Sequence, residues 1–269
     1  MTDKQRKDGK NENTMKTAFR AILCVLLIAS FSLSASADCD TVYDWYFKKN
    51  DENAQPALDG GLLCIRDYRC LYVAPDKKDK VIYLTFDAGY ENGNVGKILD
   101  ALKKHGAAGN FFILENLIRR APETVLRMRD EGHLVCNHTA RHPDMSKITD
   151  RAVFNKQLTD LEKAYTALTG DEIARFYRPP QGRFTERNLS YAQDLGYTTV
   201  FWSFAYADWD NARQPDPAAA LQNLTAHVHP GMILLLHPTS ASNALIMDDL
   251  LTAYEELGYR FGRLDGIGK

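Results

Sequence analysis

The chain has 269 residues, with 33 lysine and arginine residues against 35 aspartate and glutamate residues, and its formal net charge is −2. Such a balance disfavours nucleic acid as a partner, because nucleic-acid binding relies on an excess of positive charge. After removal of a leader, the length suffices for one domain with a sizeable hydrophobic core.

The first 37 residues are predicted to be a secretory signal peptide. Lys16 and Arg20 precede an apolar run at residues 21–28, and residues 35–37 read Ala-Ser-Ala, the usual order in such signals. The apolar run is shorter than the ~20 residues of a spanning helix, and an uncleaved anchor is the second interpretation. Without residues 1–37, the formal charge is −5. We expect an exported protein that is extracellular, in the cell wall or membrane-associated.

Residues 38–79 are predicted to be an N-terminal extension, and residues 80–269 the main domain. Four cysteines follow the signal, at positions 39, 64, 70 and 136, and an exported protein lies where thiols can oxidise. Three pairings are possible; the favoured one joins Cys64 to Cys70 across a short loop. Cys136 falls inside a predicted strand, where it is either a buried free thiol or a metal ligand.

From residue 80 onward, apolar β-branched runs alternate with amphipathic stretches. Strands are predicted at residues 81–84, 110–114, 133–136, 175–177, 198–202, 232–236 and 259–261. Helices are predicted at residues 95–104, 122–131, 153–168, 186–195, 217–228 and 245–257. Near-continuous apolar strands are typical of a parallel sheet covered on both faces. The alternation predicts an α/β fold, a small, incomplete or distorted (β/α)7–8 barrel.

Polar residues follow five of these strands. They are Asp87, the pair His138 and His142, Arg178, Asp208 and His237. Because the carboxyl ends of barrel strands share one face, and active sites are built there, we expect these side chains to meet. Helix caps or surface charges would explain either aspartate alone. They do not explain His237, which directly follows the apolar run at residues 233–236.

His138 and His142 are spaced as a metal-binding pair. A strand that ends before them and continues into a loop or a first helical turn would direct both rings at one point. Neutral imidazole is a good ligand for zinc and similar divalent ions. The alternative is two polar residues of a surface loop.

Together these residues predict hydrolysis of an amide or ester. A metal would polarise an acyl oxygen and a water, and Asp87 would take the proton of that water. Arg178 would orient Asp87 and keep it ionised. His237 would protonate a leaving amine, with its tautomer and raised pKa set by Asp208. Two prolines follow Arg178, so the Gln181 backbone amide is the first available oxyanion donor.

The motifs resemble those of the polysaccharide deacetylase family (NodB homology, carbohydrate esterase family 4), in family order across residues 80–262. The matching segments are 85–87 (Thr-Phe-Asp), 138–142 (His-x-x-x-His), 178–180 (Arg-Pro-Pro), 208–209 (Asp-Trp) and 235–237 (Leu-Leu-His). Residues 44–50, 87–93, 142–144 and 198–206 are similar to the delta-lactam-biosynthetic de-N-acetylases of spore-forming bacteria.

This resemblance implies hydrolysis of the N-acetyl group of N-acetylmuramic acid in peptidoglycan, in preparation for muramic delta-lactam formation in the spore cortex. It implies the same catalytic roles as the chemistry above. Tyr90, Asn137, Gln181 and Trp209 are expected to contact the substrate. The expected partner is the glycan strand of peptidoglycan, the expected state a monomer, and the expected location in a spore-former the space between the spore membranes.

The chain departs from the family at one position. The second aspartate of the family's first motif is the third metal ligand, and Ala88 stands there. Zinc, manganese or cobalt is therefore expected on His138 and His142, weakly bound, with water or Asp87 completing the coordination. Two alternatives are a deacetylase of chitin-like or O-acetylated polysaccharide and a catalytically weak wall-binding module, the latter motivated by Ala88.

Overall fold

The computed structural model describes residues 39–49 and 53–268. Asp40–Lys269 form one compact unit. The predicted signal peptide at residues 1–37 lies outside the described residues. Within the described ranges, no helix is both long and apolar enough to span a membrane.

A curled parallel sheet is the centre of the fold. The strands of the described chain are β1 (Tyr43–Asp44), β2 (Cys70–Leu71), β3 (Val81–Ala88), β4 (Gly109–Ile113), β5 (Leu134–Asn137), β6 (Ala174–Tyr177), β7 (Arg183–Phe184), β8 (Thr198–Val200), β9 (Phe204–Ala205), β10 (Met232–Leu236) and β11 (Arg260–Phe261). The sheet runs in the order β2-β8-β6-β5-β4-β3-β10-β9, with β11 against β3. Its strand pairs are parallel. This open, curled sheet confirms the predicted incomplete barrel.

Helices cover the outer face of the sheet. They are α1 (Val95–Lys104), α2 (Glu115–Arg120), α3 (Pro122–Asp130), α4 (Arg151–Thr169), α5 (Glu186–Asp194), α6 (Pro217–Ala226) and α7 (Ala241–Glu256). Their amphipathic spacing explains their placement: α1, for example, buries Val95, Ile98, Leu99 and Leu102 on one side. One cluster of buried side chains lies between helices and sheet, and a second contains Tyr83, Phe112 and Ile233 from alternating positions of β3, β4 and β10.

Side-chain caps explain several helix boundaries. Asp150 accepts a hydrogen bond from the Val153 amide at the start of α4, and Gly170 ends that helix in the left-handed conformation. Thr185 and Asn188 form a capping box at the start of α5. Each cap lets a helix begin or end close to the sheet, so that the short loops at the strand ends have defined conformations.

The regular elements agree with the predicted ones within a few residues. Three differences matter for the site. The strand predicted at residues 198–202 ends at Val200 and resumes as β9, the strand predicted at 81–84 continues to Ala88, and α2 was not predicted. Its six residues are too few for helical periodicity to be recognised.

The extension is in contact with the main domain. β1 pairs antiparallel with β7, and β2 pairs parallel with β8 in the main sheet. Trp45 stacks on Phe201, with ring centroids 4.5 Å apart. The division between residues 38–79 and 80–269 remains a prediction from sequence.

Cys64, Cys70 and Cys136 are free thiols. The favoured Cys64–Cys70 disulfide is therefore not part of this structure. Burial raises the pKa of Cys70 to about 12, which keeps the thiol protonated and poorly reactive. Cys136 is fully buried in the interior cluster, in agreement with the interpretation as a buried thiol and not as a metal ligand.

Candidate active site

A pocket of about 900 Å³ lies at the carboxyl ends of the sheet strands. Asp87, His138, His142 and His237 line it, as the strand-end pattern predicted. Their elements are β3, the loop after β5 and the residue after β10. Arg178 and Asp208 are almost completely buried and lie behind the pocket wall. The six predicted chemical residues are thus brought together, four on the surface of the pocket and two beneath it.

Arg178 holds Asp87 in place. Its Nη1 donates to Asp87 Oδ1 at 2.8 Å, and its Nη2 donates to Thr85 Oγ1 at 2.9 Å. Further bonds run to the carbonyls of Val200 and Phe201. The guanidinium is fully buried, and its hydrogen-bond acceptors belong to β3 and to the end of β8.

Asp87 is held in its ionised form. Burial raises the pKa of this carboxyl. The attraction to the His138 ring, in its protonated form, the charges of Arg178 and His237 and the bond from Arg178 lower it by more, so the pKa lies below its ordinary range. Asp87 Oδ2 is 3.5 Å from His138 Nε2. An ionised carboxylate with one oxygen engaged by Arg178 can still accept a proton on the other.

The two histidines lie on a loop with strained backbone. Thr139 has φ of 75° and His142 has φ of 56°, a region that is uncommon for residues other than glycine. Of the two expected conformations, a loop and a first helical turn, the structure has the loop, which brings the rings together with centroids 4.9 Å apart. The Thr139 hydroxyl accepts from the His142 amide at 2.9 Å and stabilises this loop.

The tautomer of His138 is set by its surroundings. Its Nδ1 lies 2.9 Å from the Arg178 carbonyl, which can only accept, so Nδ1 carries the proton and Nε2 presents a lone pair. Burial lowers the pKa of His138 to about 4. His142 is more exposed, yet partial loss of surrounding water also lowers its pKa. Both rings are neutral at neutral pH, which is the form that binds metal.

The side chains present could bind a divalent metal through two protein ligands, His138 and His142. His138 and His142 present neutral imidazoles to one pocket, beside the Asp87 carboxylate. Among the described residues, no group of three or more histidine, cysteine, aspartate or glutamate side chains is arranged to hold a metal ion. Ala88 is fully buried in the cluster between sheet and helices and supplies no donor. The described side chains thus offer two imidazole donors beside one carboxylate, and the strength of metal binding remains a prediction.

His237 is held from behind by Asp208. The ring Nδ1 lies 2.7 Å from Asp208 Oδ1, and the His237 amide donates to Asp208 Oδ2 at 2.7 Å. Asn243 Nδ2 donates to the same Oδ2 at 2.6 Å, and Tyr206 donates its hydroxyl to Asn243 Oδ1. Burial lowers the pKa of His237, but the bond to Asp208 and its charge raise it by more, so the net pKa is above the ordinary value.

Three of the four predicted substrate contacts line the pocket: Tyr90, Gln181 and Trp209. Trp209 is 61% exposed and Tyr90 is 43% exposed. Gln181 has φ of 61°, so the turn after the two prolines has an unusual backbone conformation at the pocket wall. These three residues are accessible to a ligand.

The structure corrects the prediction that Asn137 contacts the substrate. This residue is fully buried and does not line the pocket. Its side chain donates to the Leu158 carbonyl and to the Tyr197 hydroxyl and accepts from the Thr139 amide. The last residue of a covered strand points into protein, and Asn137 therefore positions the histidine loop instead of contacting substrate.

Sequence reasoning missed three residues of the site. Trp202 and Tyr206 line the pocket, and Asn243 is a partner of Asp208 from the first turn of α7. Trp202 approaches so closely that a Cβ on Gly182 would lie 2.7 Å from its ring, which requires glycine there. Trp202 was interpreted as the last residue of the strand at 198–202, and Tyr206 was used only as part of the segment 198–206 that carries the family resemblance. A helical asparagine carries no signal of its own.

Comparisons with known proteins agree with this geometry. Residues 74–200 match the sequence profile named polysaccharide deacetylase. The chain is 37% identical over 250 residues to the peptidoglycan-N-acetylmuramic acid deacetylase PdaA of Bacillus subtilis, across 92% of this chain and 94% of that protein. The solved structure of Bacillus subtilis PdaA, a family 4 carbohydrate esterase, aligns with a TM-score of 0.81 at 37% identity, across 85% of this chain and 97% of that chain.

Two more distant relatives widen the comparison. A peptidoglycan-N-acetylglucosamine deacetylase of Bacillus cereus is 29% identical over 230 residues, across 82% of each chain. A family 4 carbohydrate esterase pseudoenzyme from Bacillus anthracis aligns with a TM-score of 0.67 at 27% identity, across 74% of this chain and 68% of that chain.

Replacement of Asp208 by asparagine is expected to lower the pKa of His237, because the carboxylate charge that favours the imidazolium is removed. A raised pKa contributes stability below the unfolded value of about 6.5 that is lost as pH rises through the folded pKa, so the variant should lose most stability at acidic pH. NMR titration of the His237 ring measures the shift. Asp210→Asn, whose carboxylate pairs with Arg213, is the matched control. An unchanged His237 titration in Asp208→Asn would contradict the assignment.

The substitution Ala88→Asp tests the missing ligand. A carboxylate that reaches the histidine pair should tighten zinc, manganese or cobalt binding, because it adds a charged oxygen donor. Isothermal titration calorimetry measures the affinity, and thermal unfolding of the same samples checks the fold. Ala88→Asn is the control for size. If Ala88→Asp leaves metal affinity unchanged while the protein stays folded, the side chain at this position does not reach the metal.

Proposed function

Because the chain belongs to the polysaccharide deacetylase family, we propose that it hydrolyses the N-acetyl group of N-acetylmuramic acid residues in peptidoglycan. The observation that carries this proposal is the arrangement of Asp87 and His237 in one pocket, each held by a buried partner, beside the His138–His142 pair. The 37% identity with PdaA of Bacillus subtilis over most of both chains supports the muramic substrate.

Asp87 is the proposed base. Its Oδ1 is engaged by Arg178, and its Oδ2 faces the pocket beside His138. The lowered pKa keeps the carboxylate ionised at neutral pH, so Oδ2 can take the proton of a water that attacks the acetyl carbonyl carbon. Arg178 maintains the orientation of the carboxylate during that transfer.

His138 and His142 are the residues that would hold a divalent metal. When bound, the metal would polarise the acetyl carbonyl and the water. The bond from His138 Nδ1 to the Arg178 carbonyl connects the metal pair to the residue that orients Asp87. A displacement of Arg178 would therefore affect the base and the metal pair together.

His237 is the proposed acid. Its Nδ1 is bonded to Asp208, so Nε2 is the nitrogen that faces the pocket. The raised pKa keeps part of the population protonated near neutral pH. Proton transfer from Nε2 to the amine nitrogen, as the C–N bond breaks, releases acetate and leaves the free amine on the sugar.

Aromatic side chains form the proposed sugar platform. Trp209 and Tyr90 are exposed at the pocket, and Trp202 and Tyr206 line it. Such apolar faces bury the C–H faces of a sugar ring. The backbone amide of Gln181 is the proposed donor to the developing oxyanion.

The finer parts of the proposal concern the biological setting. We propose that the freed amine closes the muramic delta-lactam of a spore cortex and that the protein acts after export, on glycan strands of the wall. The resemblance of residues 87–93 and 198–206 to delta-lactam-biosynthetic enzymes supports this setting. Zinc, manganese and cobalt are the proposed metals, because imidazole ligands suit them.

Two other functions have specific support. The identity with a peptidoglycan-N-acetylglucosamine deacetylase of Bacillus cereus favours N-acetylglucosamine, the sugar of chitin-like polymers, as the substrate. Ala88, the two-histidine metal pair and the similarity to a pseudoenzyme favour a catalytically weak wall-binding module. Both predict a different result in the following experiment.

Peptidoglycan strands with and without stem peptides, and chitin oligomers, are incubated with the purified protein and added zinc, manganese or cobalt. We expect loss of acetyl groups from muramic residues, detected by mass spectrometry, and only background release by Asp87→Ala. Activity confined to chitin oligomers would favour the glucosamine substrate. Equal, background release by the wild type and Asp87→Ala on every substrate would favour the binding module.

The variant His237→Ala removes the proposed acid. We expect kcat to fall by about 10²–10⁴-fold with little change in KM, because general acid catalysis acts in the transition state. Steady-state acetate release measures both constants. His105→Ala, at a histidine bonded to Asp248 and Glu255 outside the pocket, is the control. A kcat within twofold of the wild type would remove His237 from the mechanism.

A further inference from the structure

A second cavity, of about 510 Å³, adjoins the active-site pocket. The two share Leu114 and Asn116 as lining residues. The second cavity is also lined by Glu115 and Arg119 of α2 and by Ala140 and Arg141 of the histidine loop. A ligand bound over the histidines can therefore extend a substituent into it.

The charge of this cavity is positive and incompletely paired. Arg141 is exposed, and its guanidinium makes no hydrogen bond or ion pair with any residue in the described part of the chain. Arg119 lies 3.9 Å from Glu115 Oε1, at the limit of an ion pair. Two arginines and one glutamate thus line the cavity, which leaves a net positive charge beside the reaction site.

The backbone that carries Arg141 is held at several points. The Glu115 amide donates to the Ala140 carbonyl at 3.3 Å, and the Ala140 amide donates to the Gln157 carbonyl at 2.8 Å. The Arg141 amide donates to Gln157 Oε1 at 3.2 Å. Arg141 directly precedes His142, so its position relative to the histidine pair is set by the same loop.

The chemistry of the proposed substrate provides an anion at the right distance. In N-acetylmuramic acid the acetamide is on C2, and a lactyl ether that ends in a carboxyl group is on the adjacent C3. N-acetylglucosamine lacks that arm. With the acetamide at Asp87 and the histidines, the lactyl arm begins one ring carbon away and carries its carboxylate several ångströms further, within reach of the neighbouring cavity.

We propose that the cavity lined by Arg119 and Arg141 is a subsite that binds the carboxylate of the lactyl arm of the muramic residue, with Arg141 as the principal contact. This inference rests on the proposed function and identifies the residues that select muramic acid over glucosamine. Guanidinium and carboxylate match in geometry and charge. The carboxylate is either that of a free lactyl group or the nearest one of an attached stem peptide.

Kinetics on four substrates test the subsite. They are a muramic oligosaccharide with a free lactyl carboxylate, the same compound as its methyl ester, the same compound with a stem peptide, and an N-acetylglucosamine oligomer. Arg141→Ala should raise KM for the free carboxylate about five- to tenfold with little change in kcat, since one charge-assisted bond is lost. It should leave the ester and the glucosamine oligomer within twofold of the wild type. Arg141→Lys should recover part of the lost affinity for the free carboxylate, because lysine restores the positive charge but cannot form the bidentate pair of a guanidinium.

The matched control is Arg120→Ala, at an exposed arginine next to Arg119 on α2 that does not line the cavity. A KM effect of Arg141→Ala that appears only with the peptide-bearing substrate assigns the subsite to the stem peptide. Equal effects on the carboxylate and the ester, or none on any substrate, would overturn the subsite.

Binding measurements separate this inference from the proposed reaction. The Asp87→Ala protein, with and without Arg141→Ala, is titrated with the free-carboxylate muramic oligosaccharide and with its ester. Tighter binding of the carboxylate that depends on Arg141 supports the subsite even if no muramic substrate is deacetylated. Deacetylation of muramic substrates without any dependence on Arg141 would leave the reaction in place and disprove the subsite.

Discussion

The buried guanidinium of Arg178 is the interaction on which the rest of the site depends. It donates to Asp87, to Thr85 and to two carbonyls at the end of β8, while its own carbonyl accepts from His138. A buried charge is tolerated only when its donors are satisfied. Removing one partner of such a pair costs about 3–5 kcal/mol, so base, metal pair and strand ends are coupled through one side chain.

Strain is concentrated where the chemistry is. Thr139, His142 and Gln181 all have positive φ, and each lies in or beside the pocket. The Asn137 side-chain oxygen accepts from the Thr139 amide and the Thr139 hydroxyl accepts from the His142 amide, and these bonds hold the histidine loop in this conformation. In a helix, the backbone amides and carbonyls would bond to one another without positive φ angles. The observed loop instead brings two imidazoles and an arginine to neighbouring positions, with the two rings in one pocket and Arg141 in the next.

The residues of the pocket differ in burial according to their role. Asp208 and Arg178 are buried and fully bonded, and they set the protonation of His237 and Asp87 from behind. Trp209, Tyr90 and Arg141 are exposed at the other side and are free to meet a ligand. Protonation is thus controlled where water is scarce, and recognition takes place where a polymer has access.

Much of this could be predicted from the sequence, because local patterns determine it. Apolar runs of β-branched residues specify buried strands, amphipathic spacing specifies covering helices, and a parallel sheet puts residues such as Asp87 and His237 at one edge. The family resemblance, now confirmed, rested on the same residues. What only the tertiary structure decided concerns contacts between distant segments. The Asn137 side chain points into the protein interior, α2 lines the second cavity, and Asn243 of α7 bonds to Asp208. No local pattern records these outcomes, since they depend on how the packed layers direct each side chain.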